Sequence, residues 1–453
     1  MNNNNKYNTN GVRPVSEFLD YYSGNPLFAS LIIEFSWAYK FCLENKNTSS
    51  PAIQFRVDEA ENFASLVRDV YNFEYVPKAS IAFVVTIPCP REVVAANFRD
   101  RIVHHYIVMK IEVLFERLGI FHPDVYSCRA GKGNLAAIQR LSERIWLESR
   151  GYTEPCFVAS FDIMSFFMSI DKRRLYDELV AVVQNNYNEW DKDYLLYLIR
   201  IITFNQPTEH AERRSPLSMW DLLPKHKSLY NLDWFLGLAI GNLPSQIDAN
   251  FYNAPFVRWL CEIGLAPVNY VDDFYLVSRD KNKILDAMPH IRNYLATERG
   301  LTLHPQKFEL QPIERGIKCL GGFIKDGEIF VNKRTVARCY NKIHWYNDVI
   351  GTNHRNRAKC VEHYCQILNS YLGIMSHFSS EATRKQIAII VLSVWEGYLT
   401  FSQDYTRAMP VAKYNRLKRS RFHARLRLKT DLSTIKTFQN EQTRINRSQD
   451  WRT

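Results

Sequence analysis

The feature that most constrains this chain is a pair of adjacent carboxylates, Asp272 and Asp273, between two short apolar segments, APVNYV and FYLVSR. Apolar segments separated by such a turn predict a β-hairpin with the pair at its tip. Two carboxylates held this close repel each other, so the arrangement is costly unless a cation neutralises it. The alternative is an ordinary Asp-rich hairpin turn, which is by itself the commoner reason for two aspartates in such a place.

A third carboxylate, Asp162, favours the cation. It ends an apolar, strand-like segment, FVASFDI, far earlier in the chain, so it could join the pair only through the tertiary fold. Three carboxylates with open positions suit two hard cations such as Mg²⁺, for which Mn²⁺ can substitute. Two such ions can clamp the attacking and leaving oxygens of a phosphoryl transfer. The three aspartates therefore predict a catalytic metal site.

Five motifs carry a resemblance to a known family. In chain order they are FDIMSFFMSID around Asp162, GLAIGNLPSQIDANFY, YVDD, LHPQKFEL around Lys307, and CLGGFI. With them the chain resembles reverse transcriptases. The resemblance implies an α+β right-hand polymerase with fingers, a palm built on an antiparallel sheet and a helical thumb. It also implies synthesis of a DNA product from dNTPs on an RNA template.

The resemblance divides the chain as follows: a disordered lead at 1–15, N-terminal helices and fingers at 16–155, palm at 156–330, helical thumb at 331–410 and a basic C-terminal tail at 411–453. Within the tail, Lys413 to Lys429 contains eight Lys or Arg residues and no acid. Such a run is usually a solvated face. In a polymerase with a net charge of +11, it is interpreted as a contact with RNA or duplex phosphates.

The resemblance also implies a role for individual residues. Asp162 and Asp272 bridge the two Mg²⁺ ions, Asp273 completes the catalytic metal site, and Lys307 lies near the leaving pyrophosphate. The expected nucleotide-binding residues are Arg129, Lys132, Phe167, Ile240, Gly241 and Gln246. The expected primer grip is Leu320, Gly321 and Gly322.

Each of the less specific residues also has an ordinary structural interpretation. Lys132 lies in GKG, which is also a common loop sequence, and Lys307 could be a solvated surface lysine. Gly241 could simply begin a helix, and Gln246 could be an exposed polar residue. The ring of Phe167 is expected to crowd a ribose 2′-hydroxyl, which favours dNTPs over NTPs.

A narrower resemblance is carried by REVVAANFRDRIVHH, YSCRAGKGN, FFMSID and LPKHKSLYN. These segments are similar to reverse transcriptases of diversity-generating retroelements and of bacterial antiviral defence. Most reverse transcriptases have Gln-Gly and Ser-Pro where this chain has Ile240-Gly241 and Ser245-Gln246. Because that Gln helps to seat the incoming nucleotide, Ile240 implies looser or specialised synthesis.

Several functions stay open at this point. The favoured one is copying of a non-coding RNA in antiviral defence. The others are error-prone copying in a diversity-generating retroelement, template-independent or protein-primed DNA synthesis, and RNA binding without turnover. An accessory protein or a second copy of the chain is a further expected partner.

Composition narrows the setting. Apolar residues make up 46% of the chain and charged residues 23%, which is typical of a folded protein. The apolar runs are shorter than the roughly 20 residues needed to cross a bilayer, and the polar N-terminus has no signal-peptide pattern. The nine cysteines are scattered without a CxxC pair, as in reduced cytoplasmic proteins. We therefore expect a cytoplasmic protein with no membrane partner.

Overall fold

The computed structural model describes residues 25–44, 48–87, 89–350, 352 and 354–411. The predicted lead at 1–15 and all of the predicted basic tail after residue 411 lie outside these ranges. The chain divides into two compact units. The first comprises Met1–Leu320 with Lys325–Gly327, and the second comprises Gly321–Ile324 with Glu328–Thr453.

Helices make up most of the first unit. Those described are α1 Pro26–Leu43, α2 Ser50–Val57, α3 Glu59–Tyr71, α4 Phe98–Leu118, α5 Asn134–Glu148, α6 Phe166–Ser169, α7 Lys172–Asn186, α8 Lys192–Phe204, α9 Leu217–Trp220, α10 Leu243–Glu262 and α11 Lys281–Arg299. Their ends follow local chemistry. The Asn97 side chain accepts the N–H of Arg99 at the start of α4, and the left-handed Gly119 ends that helix.

A four-stranded antiparallel sheet lies at the centre of the first unit. Its strands are β3 Phe157–Asp162, β5 Val268–Tyr270, β6 Asp273–Ser278 and β7 Glu309–Pro312, in the order β5–β6–β3–β7. Phe157 pairs with Ser278 at one end of the β3–β6 ladder, and Asp162 pairs with Asp273 at the other. The predicted hairpin is therefore present, as the pair of strands β5 and β6.

The core lies on one face of this sheet. Phe161 and Phe274, partners in the β3–β6 ladder, stack with ring centroids 5.1 Å apart, and Phe256 of α10 packs edge-on against Phe274. Successive strand residues point to opposite faces. Because the Phe161–Phe274 pair is in the core, the next pair along the ladder, Asp162 and Asp273, points away from it.

A smaller sheet comprises β1 Ile81–Val85, β2 Arg91–Ala95 and the two-residue β4 Glu212–Arg213, in the order β2–β1–β4. The segment that follows β4 is fixed to this sheet by Glu92. Its buried carboxylate accepts the backbone N–H of Leu229 at 3.0 Å and the hydroxyl of Ser228. The sheet therefore positions the chain that leads into α10.

Three further strands, β8 Ile317–Cys319, β9 Gly322–Lys325 and β10 Glu328–Val331, lie where the division into units falls. The second unit continues with α12 Lys333–Trp345, a π-helical turn Tyr346–Ile350, α13 His354–Met375, α14 Glu381–Trp395 and the hairpin β11 Leu399–Phe401 with β12 Ala408–Pro410. Its core contains a cluster of aromatic rings: Tyr346 stacks on Tyr364 at 4.2 Å, and the buried Trp395 packs on Tyr364 at 4.8 Å.

The mixture of helices and antiparallel sheet confirms the α+β class, whereas the layout of fingers, palm and thumb stays a prediction. Among the described residues, α1 is long and apolar enough to cross a membrane by length and composition. Half of it is buried inside the first unit, including Leu31, Ile32 and Phe35. A core helix passes the same test, so α1 is weak evidence for a membrane.

Candidate active site

The β3–β6 ladder brings Asp162 together with two carboxylates that lie far from it in the sequence. Asp162, the last residue of β3, pairs directly with Asp273, the first residue of β6. Asp272 is the second residue of the two-residue turn that joins β5 to β6. The three predicted catalytic residues therefore lie together at one end of the sheet.

Their surroundings make negative charge unfavourable. Burial, together with repulsion from Asp272 and Asp162, raises the pKa of Asp273 to about 7. Burial and repulsion from Asp162 also raise the pKa of Asp272. Both shifts mean that the ionised pair is held at a cost, which a nearby cation would relieve.

Lys307 supplies one positive charge at the site. Its Nζ donates a hydrogen bond to Oδ2 of Asp162, while its own side chain is 56% exposed. The segment before it is fixed to β3, because the N–H of His304 donates to the carbonyl of Asp162 at 2.9 Å. The other carboxylate oxygen of Asp162, Oδ1, is buried with no hydrogen-bond partner.

These observations test whether a divalent cation fits. Across residues 25–411, leaving aside the undescribed positions, no three His, Cys, Asp or Glu side chains are close enough to form a complete metal site. The donor chemistry nevertheless fits: three carboxylates supply the oxygen ligands that Mg²⁺ prefers. The unpartnered Oδ1 of Asp162 and the mutual repulsion of the carboxylates fit a cation as well. The site thus has the type of ligand that Mg²⁺ prefers, but in this structure the three carboxylates are not close enough together to coordinate one ion.

Arg129 and Lys132 are engaged by other protein groups. The Arg129 guanidinium donates to both carboxylate oxygens of Glu116, at 2.8 and 2.9 Å, and to two backbone carbonyls. Lys132 donates to the carbonyl of Pro123 at 2.6 Å, with its Nζ over the ring of Tyr126. In this structure both side chains hold their own loop, and their predicted contact with a nucleotide stays a prediction.

Phe167 lies in the short helix α6, directly after β3. Its half-buried ring packs edge-on against Phe166, a buried core residue, with centroids 5.9 Å apart. The Phe167 carbonyl accepts the N–H of Leu238 at 2.8 Å. This bond connects the end of β3 to the segment that contains Ile240 and Gly241.

Ile240 and Gly241 lie against β2. The Ile240 carbonyl accepts the N–H of Val94 at 2.9 Å. Gly241 has φ +114°, and a Cβ there would lie 2.8 Å from Cγ1 of Val93 and 3.3 Å from the carbonyl oxygen of Val94. The structural reason for this glycine is therefore the close approach of the chain to β2, a reason that neither sequence interpretation included.

Gln246 and the predicted primer grip complete the predicted residues. Gln246 is exposed on α10, where its Oε1 accepts from the thiol of Cys128. Leu320 has a left-handed backbone with φ +46°, and its backbone N–H and the Cys319 thiol lie against the hydroxyl of Tyr275 in β6. Gly321 and Gly322 belong to the second unit, and their role stays a prediction.

Sequence reasoning missed one charged residue near the site. Arg91, the exposed first residue of β2, acts on both Asp272 and Asp273, where its charge partly offsets the rise in their pKa values. The only sequence signal was its place at the start of REVVAANFRDRIVHH, and nothing in that segment reveals which strand end faces the carboxylates. Its position makes Arg91 a candidate contact for an anionic substrate.

Comparisons with known proteins give distant likenesses. No protein-family model matches the sequence, and no curated protein does. Telomerase from Candida albicans in complex with a fragment of telomeric RNA is similar at 12% identity and a TM-score of 0.40, over 74% of this chain and 64% of that chain. Telomerase from Candida tropicalis is similar at 12% identity in two forms. With the RNA fragment the TM-score is 0.41, over 74% of this chain and 57% of that one; the truncated apo form gives 0.39, over 56% and 55%.

This chain spans less than two thirds of each of those telomerase chains. Likenesses of this size define neither a fold nor an activity. The function is therefore inferred from the chain's own residues.

Proposed function

We propose that this chain is an RNA-directed DNA polymerase that adds dNTPs to a growing DNA product on an RNA template. One observation carries the proposal: Asp162 and Asp273 are direct partners at the end of an antiparallel ladder, with Asp272 beside them in the turn. Three carboxylates at one sheet end supply the oxygen ligands that two Mg²⁺ ions would need for phosphoryl transfer, although in this structure they do not converge into a complete cage. The order of the five motifs along the chain supports the same reaction.

Two Mg²⁺ ions, held by Asp162, Asp272 and Asp273, would supply charge neutralisation for the attack of a primer 3′-hydroxyl on the α-phosphate. The protein's own groups then have distinct tasks. Lys307, which is bonded to Asp162 and half exposed, is assigned the donation of a proton to the leaving pyrophosphate. Arg91 would add positive charge on the side of the Asp272–Asp273 turn.

Substrate choice is assigned to two residues. Phe167 follows the end of β3 by five residues, and we assign its ring the discrimination between dNTPs and NTPs. Ile240 is bonded through its carbonyl to β2 and offers a nucleotide an aliphatic side chain where a Gln is usual. An aliphatic side chain makes no hydrogen bond to a base or sugar, so we propose relaxed base selectivity.

For the biological setting we propose copying of a non-coding RNA in bacterial antiviral defence. The segments YSCRAGKGN and LPKHKSLYN are similar to enzymes of both settings, and the departures from the usual motif at Ile240 and Gln246 favour defence. The second candidate is the error-prone enzyme of a diversity-generating retroelement, which the same segments resemble. An error spectrum concentrated at one template base would support the second candidate over the first.

The test is to purify the chain with its co-purifying RNA, sequence that RNA, and supply dNTPs with Mg²⁺. We expect DNA complementary to the RNA from the unaltered chain and none from the double variant Asp272→Asn, Asp273→Asn. The matched control is Asp286→Asn, an exposed aspartate of α11, which should retain full synthesis. DNA that is unrelated to the RNA would instead favour template-independent synthesis.

A further inference from the structure

The turn that carries the two aspartates has a backbone that its sequence disfavours. Val271, the first residue of the two-residue turn, has φ +57°, whereas Asp272 is not in the left-handed region. A positive φ at the first position only is typical of a type II′ hairpin turn, which prefers glycine there. A β-branched residue in the left-handed region is a genuine outlier that persists only where its surroundings hold it.

Three side chains hold this residue by its backbone. The Val271 carbonyl accepts hydrogen bonds from Nδ2 of Asn253 at 2.9 Å and from Nδ2 of Asn269 at 3.0 Å. Its N–H donates to Oγ of Ser127 at 3.1 Å. The three groups come from α10, from β5 and from the loop before α5, so three separate parts of the first unit converge on the backbone of one residue.

These groups belong to a buried polar network. Ser127, Asn250, Asn253 and Asn269 are each at most 2% exposed. Asn250 donates to the carbonyl of Ser127 at 2.6 Å and accepts the hydroxyl of the same residue. Oδ1 of Asn253 is buried without a partner. Burying an amide oxygen without a hydrogen-bond partner costs free energy. The contribution of this side chain to the fold is therefore the hydrogen bond from its Nδ2 to the Val271 carbonyl.

Asn269 also holds the far side of the turn. Its Nδ2 donates to the carbonyl of Asp273 at 3.1 Å as well as to that of Val271. The amide therefore bridges the residues on either side of Asp272. Its own backbone is fixed in turn, because its N–H donates to the carbonyl of Asp124 at 2.9 Å.

We propose that Asn253 and Asn269 are positioning residues that clamp Val271 in its left-handed conformation and thereby keep Asp272 and Asp273 directed towards Asp162. Without the clamp, the turn relaxes to a conformation that a β-branched residue adopts readily, and the three carboxylates separate. The inference rests on the proposed function, since it takes these carboxylates as the ligands of the catalytic cations. It adds to that function the residues that preorganise the ligands.

The test measures cation binding directly, without DNA synthesis. Asn253→Leu keeps the size of the side chain and removes the donor, and free Mn²⁺ is followed by electron paramagnetic resonance. We expect Mn²⁺ affinity to fall on the order of tenfold, as expected for loss of one hydrogen bond to a buried carbonyl. The matched control is Asn347→Leu in the second unit, another buried Asn that bonds a backbone carbonyl, and it should leave the affinity unchanged.

A rescue separates positioning from general packing. Val271→Gly removes the need for a clamp because glycine adopts positive φ freely. In that background, Asn253→Leu should no longer weaken Mn²⁺ binding. Asn253→Ala is measured in parallel in case the leucine disturbs the helix packing, with thermal unfolding recorded for every variant.

The outcomes distinguish this inference from the function on which it rests. Equal Mn²⁺ affinity in the unaltered chain and Asn253→Leu overturns the inference while leaving the polymerase proposal intact. Weakened binding that Val271→Gly fails to restore overturns it as well, since the defect is then one of packing. An unaltered chain that binds no Mn²⁺ overturns both proposals together.

Discussion

Asp162 and Asp273 are direct partners across the β3–β6 ladder, although five α-helices of the first unit, α6 to α10, lie between their strands in the sequence. Pairing across a ladder fixes the spacing of two side chains more tightly than a loop can. The neighbouring pair, Phe161 and Phe274, anchors the same register in the core. The fold therefore holds two like charges together at the end of a rigid element, which proteins do where a cation or catalysis requires it.

The pH dependence of stability should reveal this repulsion. In the folded chain the pKa of Asp273 is raised to about 7, above the aspartate value of 3.8. Between roughly pH 4 and 7 the folded state therefore holds a proton that the unfolded chain has lost, and the free energy of unfolding falls as pH rises. In EDTA, we expect Asp273→Asn to melt higher than the unaltered chain at pH 8, with the gap closing towards pH 4.

The experiment compares two chains because other buried acids also have raised pKa values. Burial raises the pKa of Asp248 to about 8, and its contribution cancels in the comparison. A melting-temperature gap that is the same at every pH would contradict a raised pKa at Asp273.

Lys307 should contribute to turnover. Loss of a general acid typically costs 10²- to 10⁴-fold in rate, so Lys307→Gln should slow single-turnover dNTP incorporation by roughly 100-fold or more. Lys281→Gln changes an exposed lysine at the start of α11 and should have no effect. An unchanged rate in Lys307→Gln would contradict the role of general acid. The ion pair with Asp162 would then be the only role assigned to this lysine.

Gly241 should be intolerant of any side chain. A Cβ would lie 2.8 Å from Cγ1 of Val93 at a φ of +114°, so Gly241→Ala should lower the free energy of unfolding by about 1–3 kcal/mol. Gly373, inside α13, has open space around its Cβ position. There, Gly373→Ala should instead stabilise by about 0.5–1 kcal/mol. Urea unfolding of the two variants measures both changes in the free energy of unfolding. Equal changes would contradict the conclusion that contact with β2 requires a glycine at position 241.

Substitution of Arg129 distinguishes a structural role of this side chain from a nucleotide-binding role. Its side chain is 10% exposed and donates from Nε and Nη2 to the two carboxylate oxygens of Glu116. Arg129→Lys keeps the charge but loses the bidentate geometry, so we expect it to lower the free energy of unfolding by roughly 1–3 kcal/mol. If the loop has only this role, KM for dNTPs measured below the melting temperature stays unchanged. A raised KM would show that the side chain also contacts the nucleotide.

Local pattern was enough to predict much of this site. The apolar segments around Asp272 and Asp273 predicted the hairpin β5–β6, and the apolar run ending at Asp162 predicted β3. Strand alternation and turn chemistry are local properties, so a single sequence displays them. The helix that Gly241 could begin is α10, which starts two residues later and covers Leu243–Glu262.

Contacts made by the tertiary fold were not predictable in the same way. Glu116, which engages Arg129, lies on α4 and has no pattern that marks it as a partner. Asn253 and Asn269 read as ordinary polar residues on a helix and a strand, and only the packed structure directs both at Val271. Arg91 belongs to the same class, because its effect on the carboxylates depends on which end of β2 faces the sheet.

The most direct test of the account concerns Asp162 itself. Asp162→Asn keeps the size of the side chain and removes its charge, while the ladder with β6 should remain. With co-purifying RNA, dNTPs and Mg²⁺, we predict that complementary DNA synthesis falls by at least about 100-fold. The melting temperature should be unchanged or raised, because repulsion between Asp162 and the Asp272–Asp273 pair is relieved. Synthesis by Asp162→Asn at the rate of the unaltered chain would contradict the assignment of this cluster as the polymerase centre.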